Sequence, residues 1–137
     1  MQPEESDSPT PFARIGGDAK VRELVERFYD LMEFEAKYAV LRAAHGTSLV
    51  SAREKLYLFL SGWLGGPPLY SDRFGHPMLR ARHLPFAIGT DERDQWMACM
   101  LQAMEETEVP QDLRTALEAA FFKTADWMRN KGEGENR

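Results

Sequence analysis

The chain has 137 residues, 43% of them hydrophobic and 28% charged, which is the size and composition of one globular domain able to bury a core. Its net charge of −5 and isoelectric point of about 5.2 argue against nucleic-acid binding, which favours a basic face on a basic domain. A lone cysteine, Cys99, excludes an intrachain disulfide framework and a CxxC zinc site, leaving it the reading of a small core hydrophobe.

The start, MQPEESDSPT, is acidic and polar, so no secretory signal is expected, and residues 1–10 are expected to be flexible. The first strong helix follows Gly16-Gly17, where Val21, Leu24, Val25, Phe28 and Met32 recur at three- and four-residue steps. The second is predicted from Thr47 to Leu64. Ser51 and Glu54 have capping-box spacing, and Thr47 or Ser48 offers an earlier cap. Leu56, Phe59, Leu60 and Trp63 form its stripe, and Gly65-Gly66-Pro67-Pro68 stops it.

From Gly65 to Gly89 the pattern predicts an irregular connection. It carries Leu69, Tyr70, Phe74, Leu79, Leu84, Phe86 and Ile88, too many apolar groups for disorder, so it is expected to wrap something. The third helix is predicted from Asp91 to about Thr107, with Thr90 as N-cap and Trp96, Met97, Met100, Leu101 and Met104 as its stripe. The fourth has Pro110 near its first turn and Leu113, Leu117, Ala120, Phe121 and Trp127 or Met128 facing inward. The tail RNKGEGENR is charged and apolar-free and is expected to fray. The domain bounds are set at 11–130, with 131–137 flexible. Nothing alternates with period two, so the fold class is all-α. No window reaches the roughly 18 apolar residues of a membrane span, and a cytoplasmic protein is expected.

Two of the three histidines lie in RFGHPMLRARHLP. On one continuous helix His76 and His83 would sit about 10 Å apart along the axis, too far to share an ion with bonds of about 2 Å. Pro77 biases His76 toward extended backbone, placing it at the start of a short helix that ends near His83. His83 is then either a hydrogen-bonded histidine at a helix end or the single ligand of a cofactor that brings its own remaining coordination bonds, haem being the obvious one. The lack of CxxCH excludes covalent c-type attachment. Tyr29 either packs with its tip bonded locally or donates into a cavity, and the Trp96 indole N–H has the same two readings. His45, in RAAHG, reads by position as an exposed loop histidine. Arg80, Arg82 and Lys55 are most simply solvated, unless a carboxylate-bearing cofactor lies near. No GxSxG, HExxH, P-loop or GxGxxG motif is present.

Six segments, RIGG (Arg14–Gly17), RFYDLM (Arg27–Met32), SAREKL (Ser51–Leu56), FLSGWLGGPPLY (Phe59–Tyr70), FGHPMLRARHLPF (Phe74–Phe86) and ERDQWMACM (Glu92–Met100), together resemble the group II truncated haemoglobins, the short 2-over-2 globins, and the resemblance covers about residues 12–128 in family order. The resemblance implies a 2-over-2 helical sandwich around a non-covalent haem b, with His83 as proximal iron ligand. It implies Tyr29, His45 and Trp96 as the distal ligand-binding set and Ala52 at a small gate position. Phe28, Leu56, Phe59, Leu60, Tyr70, Phe74, Leu79 and Phe86 would line the haem, and Arg82 and Lys55 would meet its propionates. The partners implied are dioxygen and other diatomic ligands, with an external reductase for any redox cycle. Monomer and homodimer stay open. Peroxidase-like or nitric-oxide-consuming chemistry at the same site is the alternative within the family. A haem-free helical interaction module is the alternative outside it.

Overall fold

A computed structural model describes residues 9–84, 86 and 88–130; residues 1–8 of the expected N-terminal extension and the expected tail 131–137 lie outside them, as does Pro85. Among the described residues all regular structure is helical. The helices are α1 (Pro11–Ile15), α2 (Asp18–Phe34), α3 (Ala39–Ala43), α4 (Val50–Trp63), α5 (Leu69–Phe74), α6 (Leu79–His83), α7 (Thr90–Glu106) and α8 (Gln111–Trp127), with a 3-10 turn at Ala36–Tyr38.

The α2 stripe is the centre of the core: Val21, Leu24, Val25, Phe28 and Met32 are all essentially inaccessible. Its burial against α4 on one side and α7 on the other supplies the hydrophobic driving force of the fold. Helix α7 in turn packs on α8, and the Trp63 ring of α4 stacks on Phe121 of α8, centroids 4.7 Å apart. Two helix pairs, α2 with α4 and α7 with α8, thus lie over one another.

Helix ends differ from the sequence expectation in instructive ways. Helix α4 begins three residues later than expected, with Leu49 as its N-cap residue and the Ser48 hydroxyl accepting from the Val50 N–H. Ser51 therefore falls inside the first turn and forms no capping box, while Glu54 pairs with Arg22 at 3.1 Å. Helix α7 starts at Thr90 rather than after it, because the Glu92 carboxylate accepts from the Gly89 N–H and fixes Gly89 as the N-cap residue. Trp127 does not face inward. It is 63% exposed, and half-buried Met128 follows it.

The Gly65–Gly89 connection is not wholly irregular, since it contains α5 and α6. Neither shows a periodic stripe, because each is barely a turn long and buries Tyr70 or nothing. Helix α1 lies against this connection's entry. A Cβ on Gly66 would come within 2.5 Å of the Phe12 ring, so only glycine admits the close approach. Thr10, expected to be frayed, caps α1 by accepting the Ala13 N–H. At the other end Arg129 and Asn130 are also tied down, Arg129 by Asp126 at 2.7 Å and Asn130 by four hydrogen bonds to the chain around α6. Polar contacts hold these terminal residues where apolar burial could not.

Candidate functional site

The α6 helix carries His83. Its backbone enters through Met78, a non-glycine residue in the left-handed region (φ 49°), where backbone strain is stored at functional sites more often than elsewhere. His76 lies before the helix rather than on it, and its Nδ1 accepts the Met78 N–H at 3.0 Å. The half-buried His83 ring sets its Nδ1 2.7 Å from the Leu79 carbonyl, one helical turn back. A carbonyl only accepts, so Nδ1 carries a proton and in the neutral imidazole the lone pair falls on Nε2, which is the tautomer of a metal-ligating imidazole.

Helices α2 and α7 supply two further candidate groups. Tyr29 is 5% exposed, and its hydroxyl has no hydrogen-bond partner among the described residues. Burial pushes its pKa up, so it is a neutral O–H donor at all ordinary pH. Phe28 meets Tyr29 edge-on at 4.9 Å and Trp96 at 5.3 Å, forming the floor beneath both. Trp96 is half-buried and not fully enclosed, and its indole N–H also lacks a partner among the described residues. Leaving a buried donor unpaired costs about 1–3 kcal/mol, so the unpaired Tyr29 hydroxyl, with the half-buried Trp96 N–H against the same Phe28 ring, points to a ligand that accepts hydrogen bonds.

His45 is not the exposed loop residue its position suggested. It is half-buried, edge-on to Tyr29 at 6.0 Å, with Nδ1 3.0 Å from the Leu41 carbonyl. Burial lowers its pKa; its bond to Leu41 works against this, and the charges of Arg42 and His83 add to the lowering.

The other expected residues fall into two groups. Ala52, Leu56 and Phe59 are half-buried along α4, and Leu60 points fully into the core. Tyr70 is buried and meets Phe74 at 5.0 Å; Phe74 is 41% exposed and Phe86 47%, the latter 6.4 Å from the His83 ring. Leu79 is half-buried. Exposed aromatic surface beside a ligand-type histidine is the mark of a binding site for an apolar group. Arg82 is exposed and spends Nε on the Pro77 carbonyl at 2.8 Å, with no carboxylate partner among the described residues. Lys55 is exposed, its Nζ 5.9 Å from the Phe74 ring centre. Three supports escaped the sequence reading. Phe121 stacks on Trp63 and meets Trp96 edge-on at 5.4 Å, while the Arg53 guanidinium, paired with Glu26 and Asp30, stands 5.8 Å from the Tyr29 ring. Asn130 is the third. Phe121 lies on the apolar stripe of α8 and Arg53 in the SAREKL segment, whereas Asn130 offers no sequence signal.

A 2-over-2 helical sandwich that carries a ligand-type imidazole on α6 and unpaired hydrogen-bond donors on α2 and α7 is built on the plan of a small globin. The bacterial-like globin family profile matches residues 10–130. The group 2 truncated haemoglobin of Bacillus subtilis is 38% identical over 93% of both chains. The group II 2-on-2 haemoglobin of Agrobacterium tumefaciens superposes with a TM-score of 0.88 at 43% identity, covering 97% of this chain and 100% of that one. The cold-adapted truncated haemoglobin of Pseudoalteromonas haloplanktis follows at 0.86 and 41%, covering 90% and 99%. The chain belongs to the bacterial-like globins and, within them, to the group II truncated haemoglobins. As such it is a haem protein of the kind that binds small diatomic ligands. No described helix is long and apolar enough to cross a membrane.

Proposed function

We propose that the chain holds a non-covalent haem b through His83 Nε2 and binds dioxygen reversibly on the opposite face. The observation that carries this reading is the bond between His83 Nδ1 and the Leu79 carbonyl, which leaves Nε2 as a lone-pair donor beside exposed aromatic surface. Bound there, the iron would supply the bond to the diatomic ligand. The chain supplies the rest. Tyr29 and Trp96 donate hydrogen bonds toward the ligand's partial negative charge, and a neutral His45 stands beside Tyr29 as a further donor or acceptor. Phe28, Leu56, Phe59, Leu79 and Phe86 exclude water and pack the porphyrin. Arg82 and Lys55 supply charge for its propionates.

Haemin titration of the chain and of His83→Ala tests this. The expected result is a stoichiometric Soret band that His83→Ala loses or shifts, and reversible change of that band in the ferrous protein on cycling between air and argon. An unchanged band in His83→Ala would overturn the assignment.

A further inference from the structure

Helix α6 poses a mechanical problem. It is five residues long and none of its side chains is buried, so core packing does not hold it in place. Yet a histidine that ligates iron must be held within a fraction of an ångström of its working position. Whatever positions α6 must therefore be polar and must come from another element.

That element is the end of α8. Asn130, three residues past Trp127, sends its carboxamide into the turn that leaves α6. Its Nδ2 donates to the His83 carbonyl at 3.1 Å and to the Phe86 carbonyl at 2.8 Å. Its Oδ1 accepts the Ile88 N–H at 3.0 Å, and its own main-chain N–H donates to the Ile88 carbonyl at 2.9 Å. The carboxamide's orientation is fixed, since only this one satisfies two carbonyls and an amide at once. Arg80, one turn before His83, adds a weaker strap from the same end, Nη1 to the Trp127 and Arg129 carbonyls at 3.4 and 3.3 Å. Both faces of the histidine's turn are thus fastened to one short stretch of chain.

We propose that Asn130 is the positioning residue for the axial histidine: its carboxamide pins the His83 carbonyl and the turn behind it, and so sets where His83 presents Nε2. This rests on His83 as the iron ligand. The geometry also separates two functions of the histidine. The Leu79 carbonyl fixes the rotation of the ring, whereas Asn130 fixes the main chain from which the ring projects.

The test uses the full chain reconstituted with haemin, as wild type, Asn130→Ala, Asn130→Asp and Arg129→Ala. Arg129→Ala is the control, because among the described residues that side chain bonds only to Asp126 of α8 itself. The readouts are the iron–histidine stretching band of the reduced, unligated protein and the rate of haemin transfer to apomyoglobin. Asn130→Ala is expected to shift and broaden the band and to speed haemin loss about 10-fold, the low end for removing a group that orients a metal ligand. Asn130→Asp keeps an acceptor for Ile88 but turns a carboxylate on two carbonyls, and is expected to match or exceed it. Arg129→Ala leaves both readouts unchanged. A band in Asn130→Ala that superimposes on wild type, or an equal shift in Arg129→Ala, would overturn the role of Asn130 alone. Should Asn130→Ala fail to fold, Asn130→Asp against Arg129→Ala decides by the same criteria. A wild-type protein with no iron–histidine band would overturn the His83 reading and this inference with it.

Discussion

The imidazole of His83 is tied to the main-chain carbonyl of Leu79, not to any side chain, at 2.7 Å. Substituting Leu79 therefore leaves the histidine's tautomer and rotation intact. Leu79→Ala is expected to keep the iron–histidine band of the wild type while weakening haem retention. The loss is that of a half-buried apolar side chain, about 1–2 kcal/mol or roughly 10-fold in affinity. Haemin transfer kinetics beside the Raman band check it; a displaced band with unchanged retention would contradict it.

Tyr29 makes two opposite predictions. Without haem its hydroxyl is buried and unpaired among the described residues, so Tyr29→Phe should leave the apoprotein as stable or raise it by about 1 kcal/mol. With haem, the same variant should release oxygen roughly 10- to 100-fold faster, the equivalent of losing a charge-assisted hydrogen bond of about 1.5–3 kcal/mol. Trp96→Phe should act in the same direction on release. Urea unfolding and stopped-flow oxygen release measure the two effects, and release rates unchanged from wild type in both variants would remove the distal assignment.

Burial pushes the Cys99 thiol up to about 12, and its S–H points at the Phe28 carbonyl 3.2 Å away. The thiolate is the reactive form. In the native protein at pH 8, Ellman's reagent should leave Cys99 unmodified over hours, with full reaction in denaturing urea. Rapid native modification would show that the α2–α7 contact opens far more readily than its packing implies.

His45 has a folded pKa below its ordinary value, chiefly through burial. The unfolded chain therefore binds a proton that the folded chain resists. Stability then rises with pH across the interval from the folded value to about 6.5, and falls as pH drops through that interval. In the apoprotein His45→Gln should flatten this part of the stability profile, as urea midpoints between pH 5 and pH 7.5 would reveal. A wild-type slope that persists in the variant would assign it to other groups.

How much of this was legible in the sequence depends on what each element buries. The stripe Val21-Leu24-Val25-Phe28-Met32 announced α2 because all five side chains enter the core. Helices α5 and α6 left no such trace, since a turn of chain with one buried residue or none imposes no period. Trp127 was drawn inward by its hydrophobicity, yet it lies outside beneath the Arg80 guanidinium at 5.5 Å. Residue chemistry leaves His83, Tyr29 and Trp96 with two readings each, local packing or ligand binding, and only the family resemblance chooses between them. Asn130 could not be seen at all. Among the described residues it bonds only to main-chain atoms, which every residue possesses, so no partner pattern appears in the sequence.

Because α6 contributes nothing to the core, the molecule has two grades of local opening. Amides of residues 79–84 should exchange with solvent through small excursions that break only the Asn130 and Arg80 straps, whereas those of Val21–Met32 wait for global unfolding. The turn of chain that carries His83 can thus swing free while the frame of α2, α4, α7 and α8 stays closed.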